Sequence, residues 1–217
     1  MDAQKQADYV SAGIGADQGD SVPGPSAAAA TAAGAVGPGA LAAAETAVDA
    51  GLVAKVRLAL DGNPGAMTMQ LARDLGVAEA EIIRALPDNR ATELDLGRWE
   101  ELLRRLESFG TVHAIVSNGA VTLEAVGQFG GFSTWGEFFN VQTDSLDMHI
   151  RHGNLGAAFA VEKPSHMSAV NTLSIQFYDR SGAAALKVFL NFGGKASADT
   201  VTRFAALRDE FRKETLP

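Results

Sequence analysis

The stretch LDMHIRHGNLGAAFAVEKP, residues 146–164, puts two histidines and an arginine into a run otherwise apolar enough for buried sheet. Imidazole nitrogen ligates metals, and guanidinium recognises carboxylates and phosphates. His149 and His152 are three residues apart, so on a regular strand they point to opposite faces and cannot both ligate one metal. His149 shares its face with Asp147 and Arg151. A guanidinium beside an imidazole suits an anionic ligand that also carries a metal. His152 is left as an ordinary residue at the strand end. Of the other two histidines, His113 lies on a separate strand-like segment and His166 in a Pro/Ser loop, where no role is assigned to it.

The setting narrows the chemistry. The 217 residues contain no cysteine, which rules out disulfides, thiolate metal sites and a thiol nucleophile, and suits a reducing compartment. A formal net charge of -8 argues against a dedicated nucleic-acid surface, since phosphate binding needs clustered Lys and Arg. No GxGxxG opens a helix, and there is no phosphate-binding GxxxxGK[ST], HExxH or GxSxG pattern. The carboxylates are scattered over helix surfaces, where a solvated face explains them. A hydrolase is not indicated. The first residues, MDAQKQADYV, lack the basic and apolar regions of an export signal. Residues 26–44 are uncharged, but Gly37-Pro38-Gly39 would break a spanning helix, so membrane insertion is not expected.

Residues 1–43 are rich in Ala, Gly and Pro and have too few large apolar side chains to offset the entropy of ordering, so a disordered tail is expected there. A single domain over 44–217 follows. Leu52, Val53, Val56 and Leu60 have helical spacing ahead of Asn63-Pro64. Met67, Leu71 and Leu75, then Val77, Ile82, Ile83 and Leu86, outline a helix-turn-helix broken at Gly76 and stopped by Pro87. Its second helix offers Glu79, Glu81 and only Arg84, which favours a packing module over a DNA reader. Residues 93–107 form a further amphipathic helix with Trp99 as a core anchor. After Phe109-Gly110 the period changes to that of strands: TVHAIVS and AVTLEAV flank Asn118-Gly119, a strong hairpin signal. Strands follow at 137–142, 146–151, 155–162, 171–178 and 183–190, the last two joined by Asp179-Arg180-Ser181-Gly182. Ser197 or Asp199 caps a final helix carrying Val201, Phe204, Leu207 and Phe211. The fold class is α+β: a helical module over 44–108, an antiparallel sheet over 109–192, and a C-terminal helix over 197–213. Phe129, Phe132, Trp135, Phe138 and Phe139 make an aromatic segment before the histidine strand, able to cover a flat apolar ligand or to fill the core.

Several pieces in this order resemble the cytosolic haem-utilisation carriers of the HutX/ChuX type, which correspond to one half of the HemS/ChuS haem-handling proteins. They are Asn63-Pro64, Ile82-Ile83-Arg84-Ala85-Leu86-Pro87, Phe109-Gly110-Thr111-Val112, Phe138-Phe139-Asn140-Val141, Met148-His149-Ile150, Val161-Glu162-Lys163-Pro164, and Ala185-Leu186-Lys187-Val188-Phe189-Leu190. The likeness runs collinearly through the folded part. It implies a cytoplasmic, non-enzymatic haem carrier, paired as a homodimer, whose cofactor or cargo is haem b, iron protoporphyrin IX. It also implies two iron-ligating histidines. The one in the family's "GHI" falls on His149, and the one in "VHTxD" falls on Ser117, so this chain departs from the pattern there. His113 has the same parity as Ser117 but stands about 13 Å along the strand. The expected site is therefore His149 on iron, with His113 a weaker candidate, Arg151 and Lys187 on the propionates, and Trp135 and Phe139 against the porphyrin. Two other readings stay open: a haem-degrading enzyme of the HemS/ChuS type, and a fold relative that has lost haem and serves as an interaction or regulatory module.

Overall fold

The computed structural model describes residues 49–167, 170–191 and 194–214; the Ala-rich segment 1–43 lies outside them. Three helices come first. In α1 (Ala50–Gly62) the Asp49 carboxylate caps the free amide of Leu52 at 2.7 Å, and the helix runs out at Asn63 ahead of Pro64. The next helix, α2 (Thr68–Leu75), ends on Gly76 with φ +67°, the left-handed cap the sequence anticipates, and α3 (Glu79–Arg84) follows. The strand β1 (Ala91–Leu94) then takes Glu93 and Leu94, the first two residues of the helix expected over 93–107. It pairs along Ala158–Val161, so tertiary pairing has overridden local propensity, and the helix α4 begins only at Trp99 and ends at Arg105.

Eight further strands follow: β2 (Thr111–Ser117), β3 (Thr122–Gln128), β4 (Phe132–Trp135), β5 (Phe138–Gln142), β6 (Asp147–Arg151), β7 (Leu155–Pro164), β8 (Asn171–Asp179) and β9 (Ala184–Phe189). The helix α5 (Ala198–Glu210), capped by the Ser197 hydroxyl on Thr200 N at 3.0 Å, closes the described chain. The α+β class holds, with the hairpin at Asn118-Gly119 and the β8/β9 hairpin both in place. The single sheet of the sequence reading is resolved into two. A six-stranded sheet runs β1-β7-β8-β9-β2-β3, and a separate three-stranded sheet runs β4-β5-β6, all antiparallel. The chain leaves the first sheet at Gly131, which has φ +62° and packs its Cα against the Gln142 carbonyl, where a side chain would collide.

Alternation along β7 shows how the large sheet is covered. Ala157, Phe159 and Val161 point toward α1–α3 and form one core with Val56, Ile82 and Ile83. Ala158 and Ala160 point the other way, into a second core with α4, α5 and the inner face of the small sheet. Each large apolar side chain buried in these layers contributes about 1.5–3 kcal/mol.

Polar groups are buried between α1–α3 and the sheet, and among the described residues all are partnered. Glu79, 7 % exposed, accepts from Thr68 Oγ1 at 2.5 Å and from Lys187 Nζ at 2.6 Å. Tyr178 donates to Gln176 Oε1 at 2.6 Å, and Gln176 Nε2 donates to Ser174 Oγ at 2.9 Å. Burial, reinforced by the Glu79 charge, pushes the Tyr178 phenol up and keeps it a donor. At the sheet margin Lys163 donates to the Pro164 carbonyl at 2.9 Å. Burial, then the charges of Lys187 and Arg90, lower its ammonium from an ordinary 10.5 to about 8. Between these values the unfolded chain holds a proton that the folded chain has released, so stability rises with pH through that window, and below it the full cost of burying the cation is present. Lys163→Met is therefore expected to be more stable than wild type at pH 7, by about 1–2 kcal/mol once the partial exposure of Lys163 is allowed for. Chemical denaturation from pH 7 to 10.5 checks this: the gap should close as pH rises, and a pH-independent gap would refute the assignment.

Candidate functional site

The small sheet is two-sided. Phe139, Val141 and Ile150 turn inward and are buried, Phe139 completely. Ser133 and Trp135 of β4, Phe138, Asn140 and Gln142 of β5, and Asp147, His149 and Arg151 of β6 share the outer face, because cross-strand partners lie on one side of a sheet. The short strands and the tight β4/β5 turn at Gly136, φ +56°, present this face to solvent.

On it, the His149 side chain is 57 % exposed and its Nδ1 lies 2.7 Å from Asn140 Oδ1. An amide oxygen only accepts, so across this contact Nδ1 is the donor, and Nε2 is the ring nitrogen left to ligate a metal. Asp147 Oδ1 stands 3.7 Å from Nε2, beyond hydrogen-bonding range. The Phe138 ring meets the imidazole edge-on, with centroids 6.5 Å apart. Arg151 lies over the same ring, its Cζ 5.2 Å from the centroid, and pairs with Glu137 at 3.0 Å. That pair is half-exposed and so worth at most about 1 kcal/mol, which lets an incoming carboxylate take the place of Glu137. Trp135, 68 % exposed, extends the aromatic shelf. An exposed imidazole, an apolar shelf and a guanidinium with a replaceable partner are the groups that a flat, anionic, metal-bearing ligand would require. Among the described residues no three His, Asp or Glu side chains converge on a point that would hold a bare metal ion.

The structure thus brings His149, Arg151 and Trp135 together. It does not bring Phe139, which alternation buries in the core and replaces by its neighbour Phe138. Nor does it bring Lys187, which lies on the far face of the large sheet, 16 % exposed and ion-paired with Glu79. His113 also faces that far side: its register partners are Val126 and Phe189, and its Nε2 is 2.9 Å from Glu124 Oε2. Two sheets separate it from His149, so within one chain the two cannot ligate the same iron. Ser117 shares the face of His113, with its hydroxyl accepting from Thr122 at 3.0 Å. His152 leaves the strand in a 3-10 turn and stacks on Trp99, centroids 4.4 Å apart. Missed by the sequence reading is Asn140, whose role is visible only once β5 and β6 are paired. The helix-turn-helix outline has its second helix turned inward, with Glu79, Ala80, Ile82 and Ile83 buried, while Arg84 pairs with Glu81 and Glu93.

The model of the family described as haem utilisation ChuX/HutX matches residues 92–207, from β1 into α5. The chain belongs to that haem-utilisation family. Among solved structures, the protein AGR_C_4470 from Agrobacterium tumefaciens is similar at 27 % identity and a TM-score of 0.64, over 75 % of this chain and 92 % of that one. Holo-PhuS, a heme-binding protein from Pseudomonas aeruginosa, is similar at 25 % identity and a TM-score of 0.64, over 76 % of this chain. The heme-degrading enzyme ChuS of Escherichia coli O157:H7 shares the fold, at 23 % identity and a TM-score of 0.64 over 76 % of this chain. This chain spans about half the length of the last two, 46 % and 47 %. No curated protein matches the sequence. No helix among the described residues is long and apolar enough to cross a membrane.

Proposed function

We propose that this protein binds haem b on the outer face of the small sheet and carries it, without degrading it, as a cytoplasmic homodimer. The single observation that carries the reading is the exposed His149 imidazole, held through Nδ1 by Asn140 on the face that also carries Phe138, Trp135 and the Arg151 guanidinium. His149 holds the iron, Phe138 and Trp135 cover one porphyrin face, and Arg151 exchanges Glu137 for a propionate. The working unit is residues 44–217, with 1–43 a tail outside it. The family match and the likeness to a heme-binding protein support haem as the ligand.

Titration of the apo-protein with hemin tests the reading: a saturable shift of the Soret band at one haem per chain is expected, and no shift would leave a fold relative that has lost haem. Adding ascorbate separates carrier from degrader. A stable Soret band is the carrier's result, whereas its decay into a biliverdin-like product would establish the enzyme. Gel filtration of the loaded protein reads the dimer.

Arg151→Ala is expected to weaken hemin binding about tenfold, the ~1.4 kcal/mol scale of one charge-assisted contact. The loss should vanish with haem dimethyl ester, which has no carboxylates. Equal losses for both ligands would remove Arg151 from the propionate role.

A further inference from the structure

We propose that Asn140 is a positioning residue that selects the tautomer of His149, through a hydrogen-bond relay whose direction is imposed by Asp147; this rests on the reading of His149 as the iron ligand. The relay crosses all three strands of the small sheet. Gln142 Nε2 lies 3.3 Å from Asp147 Oδ1, Ser133 Oγ 3.4 Å from Gln142 Oε1, Asn140 Nδ2 3.1 Å from Ser133 Oγ, and Asn140 Oδ1 2.7 Å from His149 Nδ1. Taken in order from Asp147, the links share one polarity. The Asp147 carboxylate accepts and cannot donate, so the Gln142 amide must turn its nitrogen toward it and its oxygen toward Ser133. The Ser133 hydroxyl then gives its proton to Gln142 and accepts from the Asn140 nitrogen. That leaves only the Asn140 oxygen facing His149, which must supply the proton from Nδ1 and keep the lone pair on Nε2. Asn140 is 7 % exposed, so reversing its amide would set its oxygen against a Ser133 oxygen whose proton is already given to Gln142, a buried acceptor without a donor. Partners of this kind, held on the rear nitrogen, orient a ligating histidine and raise its basicity.

The apo-protein can be tested before any haem is added, by 15N NMR of the imidazole nitrogens at a pH where the ring is neutral. Wild type should show the Nδ1–H tautomer, Asn140→Leu a mixture with Nε2–H, and Ser133→Ala, a change at an exposed strand position, a smaller move in the same direction. Hemin affinity should fall about tenfold in Asn140→Leu. Asn140→Asp, which keeps the acceptor, should restore affinity and lower the midpoint potential of the bound iron relative to wild type. If the tautomer is the same in wild type, Asn140→Leu and Ser133→Ala, the inference is overturned whatever haem does. If the tautomer responds but His149→Ala binds hemin like wild type, the relay stands and the ligand reading falls.

Discussion

Hemin binds His149→Ala with an affinity lower than wild type by about 100-fold or more, ~3 kcal/mol, and with a Soret band moved toward that of free hemin. The expectation follows from the layout of the outer face. Of the four histidines, His149 alone stands on it: His152 is stacked on Trp99, His113 lies beyond two sheets with Glu124 against its ring, and the His166 backbone lies beside Gly65 in the loop between the first two helices. Removing the imidazole leaves the shelf and Arg151 intact, so weak binding through apolar contact and a propionate should persist while the iron signature is lost. Added imidazole should restore the Soret position by ligating the iron in place of the lost side chain. An unchanged spectrum in His149→Ala would move the ligand elsewhere. The same spectrum read on Phe138→Ala and Phe139→Ala separates the two faces of β5. The first should weaken binding at constant stability, and the second should chiefly destabilise the fold, by about 3–5 kcal/mol, because Phe139 is fully buried.

Glu79→Leu should destabilise the protein by about 3 kcal/mol, which for a domain of this size lowers Tm by about 10 °C. The carboxylate is the partner of Lys187 and the acceptor of the Thr68 hydroxyl, in a layer where all three are largely covered by α2, α3 and the sheet. Removing it leaves an ammonium buried without a counter-charge. The pair as a whole contributes far less than its breakage costs, since both charges had to leave water. Glu79→Leu with Lys187→Met should therefore recover most of the loss, and urea unfolding of the four-member cycle measures the coupling. Two additive losses would show that the charges do not act as a pair. The hemin spectrum of Lys187→Met should match wild type, because its ammonium faces the helices rather than the outer face of the small sheet. A weakened spectrum in a folded variant would put Lys187 back among the propionate partners.

Much of this fold is legible in the residues. The Asn118-Gly119 and Asp179–Gly182 turns place two hairpins, Asn63-Pro64 and Gly76 end two helices, and the Ser197 cap starts the last one. These are local signals, set by the backbone angles and missing donors of single residues. The strands β1 and β4 were not legible. Ala91–Leu94 has too few residues to show a period and is held by its partner β7, while Phe132–Trp135 was visible only as an aromatic run.

The site divides along the same line. Parity within one strand is a property of the chain, so the shared face of Asp147, His149 and Arg151 follows from spacing on β6, whereas His152 is removed from it by the 3-10 turn that follows the strand. Which face meets solvent is not a property of the chain, because apolar and polar residues occur on both sides of β5. Packing of the small sheet against α4 and the large sheet decided it, turning Phe139 inward and Phe138 outward. Distance across the fold was decided there too. Lys187 and His113 have the right chemistry and the wrong side, since the large sheet turns their face away from the sheet that carries His149. Sequence spacing sets direction over a few residues; only the stacking of two sheets sets which residues separated by dozens of positions can touch one ligand.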